Sequence, residues 1–437
     1  MALGGGTFLT QNKVLPGTYH NFISAVRAFA NLSDRGFVAL PIAHDFGVDG
    51  EVLTLTAENL QKDSLKLLGY NYADEKLKPF REIFRNAHTA FVYFLKGTTA
   101  TAASNDFATA NFKGERGNAL KTIISANVDD PEKFDVMTYL GTTLVDEQKG
   151  ITEAKELNNN DFVTFKADAI LTSTAGTNLT GGTNGTVTPV EHQKALDEFE
   201  SYGFNILACE STDSGIKALY EAYTKRLRDE VGAKFQLVVH NVEKPDHEGI
   251  VVVHNKAVEG ESKLVYWSAG AEAGCPVNQS NTNKVYDGEY TVDFDGAKTQ
   301  TELSALLKSG KFVFHKVGNE TRVLEDINSF VSFTTEKNED FSMNQVIRVL
   351  DQIAVDTANL FNTRYLGKIP NDQSGRISLW SDIVAHRKAL QDIRAIENFV
   401  SDNVKVEAGS SKKSVVVTET VEPTVAMSQL YVTTVVA

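Results

Sequence analysis

The chain has 437 residues, of which 42% are hydrophobic and 23% are charged, and its formal net charge is −14. This length exceeds one ordinary core and the composition is typical of folded proteins, so two to four domains are expected. The acidic balance argues against a nucleic-acid-binding protein. Because no window approaches 18 consecutive apolar residues, direct membrane insertion is not expected.

The amino-terminal part predicts an arm and a small domain. Residues 1–22 contain a flexible glycine run and strand-forming residues, so they predict a linking arm; these residues include Thr7, Phe8, Leu9 and Thr10. Residues 23–97 predict an α+β domain with strands at 36–47 and 89–95 and helices at 57–69 and 78–87. Residues 98–165 are rich in Thr, Asn, Gly and Asp between short β runs, which predicts a β-sandwich domain.

Residues 166–330 alternate between strand and helix patterns and predict an α/β domain. The runs FNILACES, FQLVVHN, GIVVVHN and KLVYWSA each contain consecutive apolar residues between helix patterns, which indicates a parallel sheet buried on both faces. Thr188, Pro189 and Glu191 predict a capped helix start. A hairpin with Gly318-Asn319 at its tip is expected near the end of this domain.

Residues 331–408 predict two helices followed by a short strand, residues 409–437 predict further strands, and together they predict an α+β carboxyl-terminal domain. Ser342 and Gln345 suggest a capping box before one helix. A second helix is predicted from about Ser378 to Phe399, with three basic residues on its polar side, namely Arg387, Lys388 and Arg394.

The last predicted strand has apolar side chains on both faces, so it requires neighbours on both sides. Its residues are Leu430, Tyr431, Val432, Thr433, Thr434, Val435 and Val436. From these residues alone, a strand of the same chain and a strand of another subunit are equally good partners.

Motifs for chemistry are weak throughout the sequence. The stretch LTGGTNGTVTP (179–189) is rich in glycine and precedes a helix, but it lacks the lysine that a phosphate-binding loop needs. His240, His247 and His254 are spaced by seven, and strand-end histidines are favoured over a zinc site. Cys209 and Cys275 predict reduced, buried thiols. No catalytic, cofactor or metal site is predicted.

Several longer stretches, in order, resemble the contractile phage tail sheath proteins of Gram-positive myophages, defective prophages and phage-tail-like bacteriocins. The resemblance covers nearly the whole chain and is carried by these segments: GGGTFLTQNKVLPGTYHNF at the start, ANFKGERGNAL (110–120), LTGGTNG (179–185), YWSAGAEAGCPVNQSNTNKVYDGE (266–289), RVLEDINSFVSF (322–333) and NQVIRVLDQIA (344–354).

The resemblance implies a multidomain architecture and a structural role without enzymatic activity or cofactor. Residues 166–330 would be a subtilisin-like, doubly wound α/β domain without a protease triad. Residues 98–165 would be a β-sandwich on the outer surface, and residues 331–408 an inner domain facing the tail tube. The terminal segments 1–22 and 409–437 would be linking arms, with Thr7–Thr10 and Leu430–Val436 exchanged between subunits as strands.

The resemblance also implies partners and a place of action. The implied partners are many copies of the same chain in a helical sheath, the tail tube protein, and baseplate and tail terminator proteins. Arg387, Lys388 and Arg394 become candidates for facing the tube. The particle would be a virion or phage-tail-like particle, assembled in the cytoplasm of a bacterial host and released by lysis. The alternatives are a hydrolase-like enzyme using the α/β domain, or a non-contractile filament or surface-layer protein.

Overall fold

The computed structural model describes residues 32–436, and its first stretch builds three strands and three short helices. The strands predicted at 36–47 and 89–95 are confirmed, whereas the helix predicted over 57–69 is divided at Asp63. The elements are β1 Phe37–Ala43, β2 Val52–Thr56, α1 Ala57–Lys62, α2 Ser64–Leu68, a 3-10 turn Glu75–Leu77, α3 Lys78–Phe84 and β3 Thr89–Leu95.

The next stretch forms two packed antiparallel sheets. The strands are β4 Ala102–Ser104, β5 Ala108–Lys113, β6 Leu120–Ala126, β7 Phe134–Leu140, β8 Thr143–Ile151, β9 Val163–Phe165 and β10 Thr174–Asn178. Strand order is β10-β6-β7-β8 in one sheet and β4-β5-β9 in the other. Leu120, Thr122 and Ile124 alternate inward along β6, as expected for a sandwich core. Because β10 pairs with β6, the sandwich extends past residue 165.

The following stretch returns to alternating helices and strands. Its elements are α4 Pro189–Phe199, β11 Ile206–Cys209, α5 Ser214–Lys225, a π-helix Arg226–Val231, β12 Gln236–His240, β13 Ile250–Val253, α6 Leu264–Gly274, α7 Gln300–Lys308, β14 Lys311–Phe312, β15 Phe314–Val317 and β16 Glu320–Val323. The capping box of Thr188 and Glu191 and the β15–β16 hairpin are confirmed.

Strands from two separate parts of the chain share one seven-stranded sheet. Its order is β14-β13-β12-β11-β1-β3-β2, with every neighbouring pair parallel except β2 and β3. Helices α3 and α6 cover one face, and α4 and α5 cover the other. The segments predicted as 23–97 and 166–330 therefore fold around a common sheet, called here the central unit.

The prediction that KLVYWSA forms a strand is wrong, because this run lies in α6. All residues from Leu264 to Ala273 are buried, and periodicity cannot distinguish a buried helix from a buried strand. Small residues let α6 approach α3 closely. A Cβ added at Gly270 would lie 2.4 Å from the carbonyl oxygen of Ile83, and one at Gly274 would lie 1.9 Å from that of Asn86.

The carboxyl-terminal unit consists of two long helices and two small strand pairs. Its elements are α8 Asn344–Leu360, a π-helix Phe361–Tyr365, α9 Gln373–Asp392, β17 Ile396–Glu397, β18 Val404–Ala408, β19 Val415–Glu419 and β20 Glu422–Pro423. Strand β18 pairs with β19, and β17 with β20. The Ser342–Gln345 capping box is wrong, since Met343 is the N-cap of α8. Helix α9 also begins and ends earlier than predicted.

Candidate assembly site at the carboxyl-terminal unit

A buried charge cluster joins α8 to the central unit. Arg348 lies 2.5 Å from a carboxylate oxygen of Glu272 on α6 and also pairs with Asp326. The three side chains are at most 1% exposed. Burial and the neighbouring Asp326 raise the pKa of Glu272 to about 8, while Arg348 lowers the pKa of Asp326. The two carboxyls therefore share one proton near neutral pH.

A second polar contact lies one turn further along α8. Arg228 donates to both carboxylate oxygens of Asp351, at 2.8 and 2.9 Å. At the start of the helix, the Gln236 amide donates to the side-chain oxygen of Asn344 at 3.0 Å. Bidentate buried pairs fix both distance and orientation, so α8 is held firmly against the central unit.

Sequence reasoning missed this buried polar face. Arg348, Asp351, Gln352 and Asp356 follow the spacing of a single helix face, which usually indicates contact with solvent. Each of the four is at most 9% exposed. The available signal was the apolar stripe of the same helix, which includes Val346, Ile353 and Leu360. A helix that packs with this stripe on one side and with a second element on the other must bury its polar stripe as well.

Arg387 was predicted to lie on the polar side of its helix, and this placement is wrong. The residue is 1% exposed, and its guanidinium donates to both carboxylate oxygens of Glu419 on β19, each at 2.8 Å. It also donates to Thr357 at 2.9 Å and to His386 at 2.6 Å. The bidentate contact ties the β18–β19 hairpin to α8 and α9.

The other two basic candidates lie at the surface. Lys388 is exposed on α9. Arg394 is also exposed, but it follows the end of the helix with a φ of 62°. Their predicted contact with a tube stays a prediction.

The segment from Val425 to Val436 extends from the carboxyl-terminal unit with its apolar side chains in solvent. Exposure is 87% for Leu430 and Tyr431, 73% for Val432, 85% for Val435 and 91% for Val436. The Ala426 amide donates to the side chain of Gln345 at 2.9 Å, which anchors the start of this segment, called here the tail. Residues 430–436 form no strand with the described part of the chain. The predicted strand residues Thr7–Thr10 lie outside the described residues.

Three neighbouring residues that could hold a metal ion are occupied by protein partners. Asp229, His247 and Glu248 place ligand atoms within 4.8 Å of one another. However, Nδ1 of His247 accepts the Gly249 amide at 2.9 Å, which leaves the proton on Nε2 facing Asp229. Glu248 pairs with Lys337 at 2.6 Å. The arrangement is that of a satisfied hydrogen-bond network.

The two cysteines are free and buried, as predicted. Burial raises the pKa of Cys209 to about 12 and that of Cys275 to about 11, so both remain protonated thiols. Among residues 32–436, no helix is both long and apolar enough to span a bilayer.

Three family profiles together match most of the chain. They describe the phage tail sheath protein β-sandwich domain (residues 96–184), the phage tail sheath protein central domain (residues 185–329) and the phage tail sheath C-terminal domain (residues 336–437).

Individual proteins support the same assignment. The phage-like element PBSX protein XkdK of Bacillus subtilis (strain 168) is 31% identical over 98% of this chain and 99% of its own length. The crystal structure of the sheath tail protein from Desulfitobacterium hafniense is 34% identical, with a TM-score of 0.82 over 95% of this chain and 99% of that chain.

A more distant structure shares the fold. The contracted helical sheath of the anti-feeding prophage gives a TM-score of 0.54 at 13% identity, over 96% of this chain and 99% of that chain. The family profiles and the relatives above 30% identity overturn the hydrolase-like alternative. This chain belongs to the phage tail sheath protein family, and it is a non-enzymatic, structural sheath subunit of phage or phage-like tail particles.

Proposed function

We propose that the subunit assembles into a helical sheath in which residues 430–436 of one copy add as a strand to the β18–β19 hairpin of another copy. The observation that carries the proposal is the exposure of the tail, whose residues 426–436 include no charged side chain. Strand-forming apolar residues left in solvent require a partner for both their side chains and their backbone groups.

The hairpin has the properties of a receptor for such a strand. It has only two strands, so both of its edges carry unpaired backbone groups in the described chain. Val416 and Val417 are 48% and 37% exposed. An apolar hollow of about 500 Å³ runs beside β19, and its lining includes Ile353, Phe361 and Val417. A strand added here would gain main-chain hydrogen bonds and apolar contacts together.

Contraction follows from strand links between rigid bodies. The buried ion pairs of α8 hold each carboxyl-terminal unit on its central unit, so whole subunits rotate while the tails keep neighbours connected. The energy for shortening is the free-energy difference between two packings of the same sequence, and no nucleotide is required. In this proposal, the central unit has the subtilisin-like, doubly wound arrangement, and the β-sandwich lies on the outside.

The remaining partners belong to the same proposal. The sheath surrounds a tail tube protein and ends at baseplate and tail terminator proteins, and it forms in the bacterial cytoplasm before release by lysis. Lys388 and Arg394 are the exposed candidates for the tube. Their charge reversal is expected to weaken sheath–tube co-assembly and leave tube-free polymers intact; unchanged co-assembly would contradict this role.

Deletion of residues 426–437 tests the strand exchange. We expect folded, soluble subunits that form no tubes in electron micrographs, because the linking strand is missing. The matched control is Val128→Asp, which changes a 92% exposed residue of the sandwich and should polymerise normally. Normal sheaths from the deletion variant would contradict the proposal.

A further inference from the structure

A basic groove lies where the loop after α8 meets the turn of the β18–β19 hairpin. The side-chain amide of Asn371 donates to the carbonyl oxygens of Lys412 and Ser414, at 3.0 and 2.8 Å, and so holds the two segments together. The groove encloses about 390 Å³. Leu366 and Ile369 line it and are 58% and 46% exposed, so it has an apolar surface open to solvent.

The groove is positively charged although the chain is acidic overall. Arg376, Lys412 and Lys413 line it, and none of them forms an ion pair with the described part of the chain. Lys412 and Lys413 are exposed. The nearby acidic residue Asp372 caps α9 by accepting the Gly375 amide at 2.7 Å. The groove therefore suits a partner with acidic and apolar side chains.

Residues 331–340, called here the acidic knob, have the complementary character and form a loop that runs into a 3-10 turn, Glu339–Ser342. Val331 and Phe333 are 36% and 49% exposed. Glu336, Glu339 and Asp340 are exposed and form no ion pair within residues 32–436.

The acidic knob is an ordered loop. Asp246 accepts the amides of Val331 and Ser332, at 2.8 and 3.0 Å. Lys337 pairs with Glu248 of the central unit at 2.6 Å. The loop is thus already held in place before it meets a partner, which reduces the entropy lost on binding.

Helix α8 separates the two features within one copy. The acidic knob precedes Asn344 and the basic groove follows Leu360, so 17 helical residues lie between them. At 1.5 Å per residue this helix is about 25 Å long, and a subunit cannot place its own acidic knob in its own groove. Acidic residues before a helix and basic residues after it also interact favourably with the helix dipole. The dipole does not account for the exposure of Phe333, Leu366 and Ile369.

We propose that the acidic knob of one copy docks in the basic groove of another copy. Phe333 and Val331 would cover the apolar surface at Leu366 and Ile369, while the carboxylates face the lysines at the rim. Since the two surfaces differ and lie at opposite ends of α8, the contact is head-to-tail and can repeat from copy to copy. This contact rests on the proposed assembly and adds a second, side-chain-mediated link to the strand exchange.

Crosslinking of assembled polymers locates the contact. Thr335→Cys and Ile369→Cys together, treated with a short bismaleimide, should give a ladder of covalent oligomers, because the native cysteines are buried. The matched control pairs Thr335→Cys with Val128→Cys. Polymers whose crosslinking is no stronger than the control would overturn the contact but leave the strand exchange standing. A wild-type chain that never polymerises would overturn both.

A charge exchange tests the electrostatic part of the same contact. Lys412→Glu with Lys413→Glu should raise the critical concentration for polymerisation about tenfold, which corresponds to about 1.4 kcal/mol. Adding Glu336→Lys and Glu339→Lys should restore it, with unfolding midpoints unchanged. An unaltered critical concentration in the first variant, or no recovery in the second, would overturn the proposal.

Discussion

Two regions of the carboxyl-terminal unit, helix α8 and the tail, differ in which side chains they bury and which they expose. Along α8, charged residues that usually contact water are buried and paired, as Arg348 is with Glu272 and Asp326. In the tail, apolar residues that usually lie in a core are exposed, as Tyr431 and Val436 are. The charged residues of α8 have their partners within one subunit, whereas the tail has no strand partner among residues 32–436 of its own subunit.

The difference shows where each region has its function. Buried ion pairs add little net stability, but they fix one geometry. This suits the contact of α8 with the central unit, called here the joint, because the carboxyl-terminal unit and the central unit must move together. An apolar segment that pairs with no other described residue adds little to the stability of the subunit, and in the proposed assembly it gains its contacts from a neighbouring copy. Substitutions in the joint should therefore affect folding, and substitutions in the tail should affect assembly.

Removing the cation of the joint has the largest expected effect. Arg348→Met leaves two buried carboxyls without their positive partner, and we expect the free energy of unfolding to fall by about 3–5 kcal/mol. Urea unfolding followed by circular dichroism measures this loss. The control Lys388→Met changes an exposed residue of α9 and should stay within about 0.5 kcal/mol. A loss below about 1 kcal/mol for Arg348→Met would show that these ion pairs do not hold α8 on the central unit.

Releasing the hairpin should have a smaller effect. Arg387→Met removes the bidentate contact with Glu419, whose side chain is 22% exposed and can be hydrated. We expect a loss of about 2 kcal/mol and faster proteolysis within residues 404–419. Lys405→Met, an exposed position on β18, is the control. Equal protease resistance of both variants would count against the role of Arg387.

The pH dependence of stability tests whether the carboxyls of Glu272 and Asp326 share a proton. The pKa of Glu272 is raised to about 8 in the folded protein, from 4.5 in the unfolded chain, so the folded state holds a proton that the unfolded state has released. This contribution to stability is fully present below pH 4.5 and is lost as pH rises through 8. Between pH 6 and 8, we expect the wild type to lose about 2 kcal/mol relative to Glu272→Gln. Parallel pH profiles would contradict the shared proton.

The smallest effect on folding is expected in the tail. Val432→Asp with Val435→Asp should change the free energy of unfolding by less than about 0.5 kcal/mol, since both side chains are already in solvent. The same variant should form no sheath. A loss of more than about 1 kcal/mol would show that the tail packs on its own subunit and would remove the contrast with α8.

Strong local patterns predicted much of the fold. The runs at 36–47 and 89–95 gave β1 and β3, and Thr188 with Glu191 gave the start of α4. The run KLVYWSA was misassigned because a helix buried on every side has no amphipathic period. That β1 and β11 pair in one sheet could not be read from the sequence, since their pairing joins residues far apart in the chain.

The candidate site was predicted in part. The absence of charge and the strand propensity of residues 430–436 suggested a strand that needs neighbours, and their exposure agrees with the need for a partner. Arg387 was misplaced because α9 has little amphipathic character, so its sequence did not show which face contacts the hairpin. The pairing of Arg348 with residues of α6 and the following loop depends on tertiary packing, which side-chain periodicity does not encode.

The most direct test is the structure of the assembled polymer by cryo-electron microscopy, at a resolution that traces the backbone. We expect residues 430–436 of each subunit to lie as a strand hydrogen-bonded to the β18–β19 hairpin of a different subunit. A polymer in which these residues pair with their own chain, or stay unpaired in solvent, would contradict it.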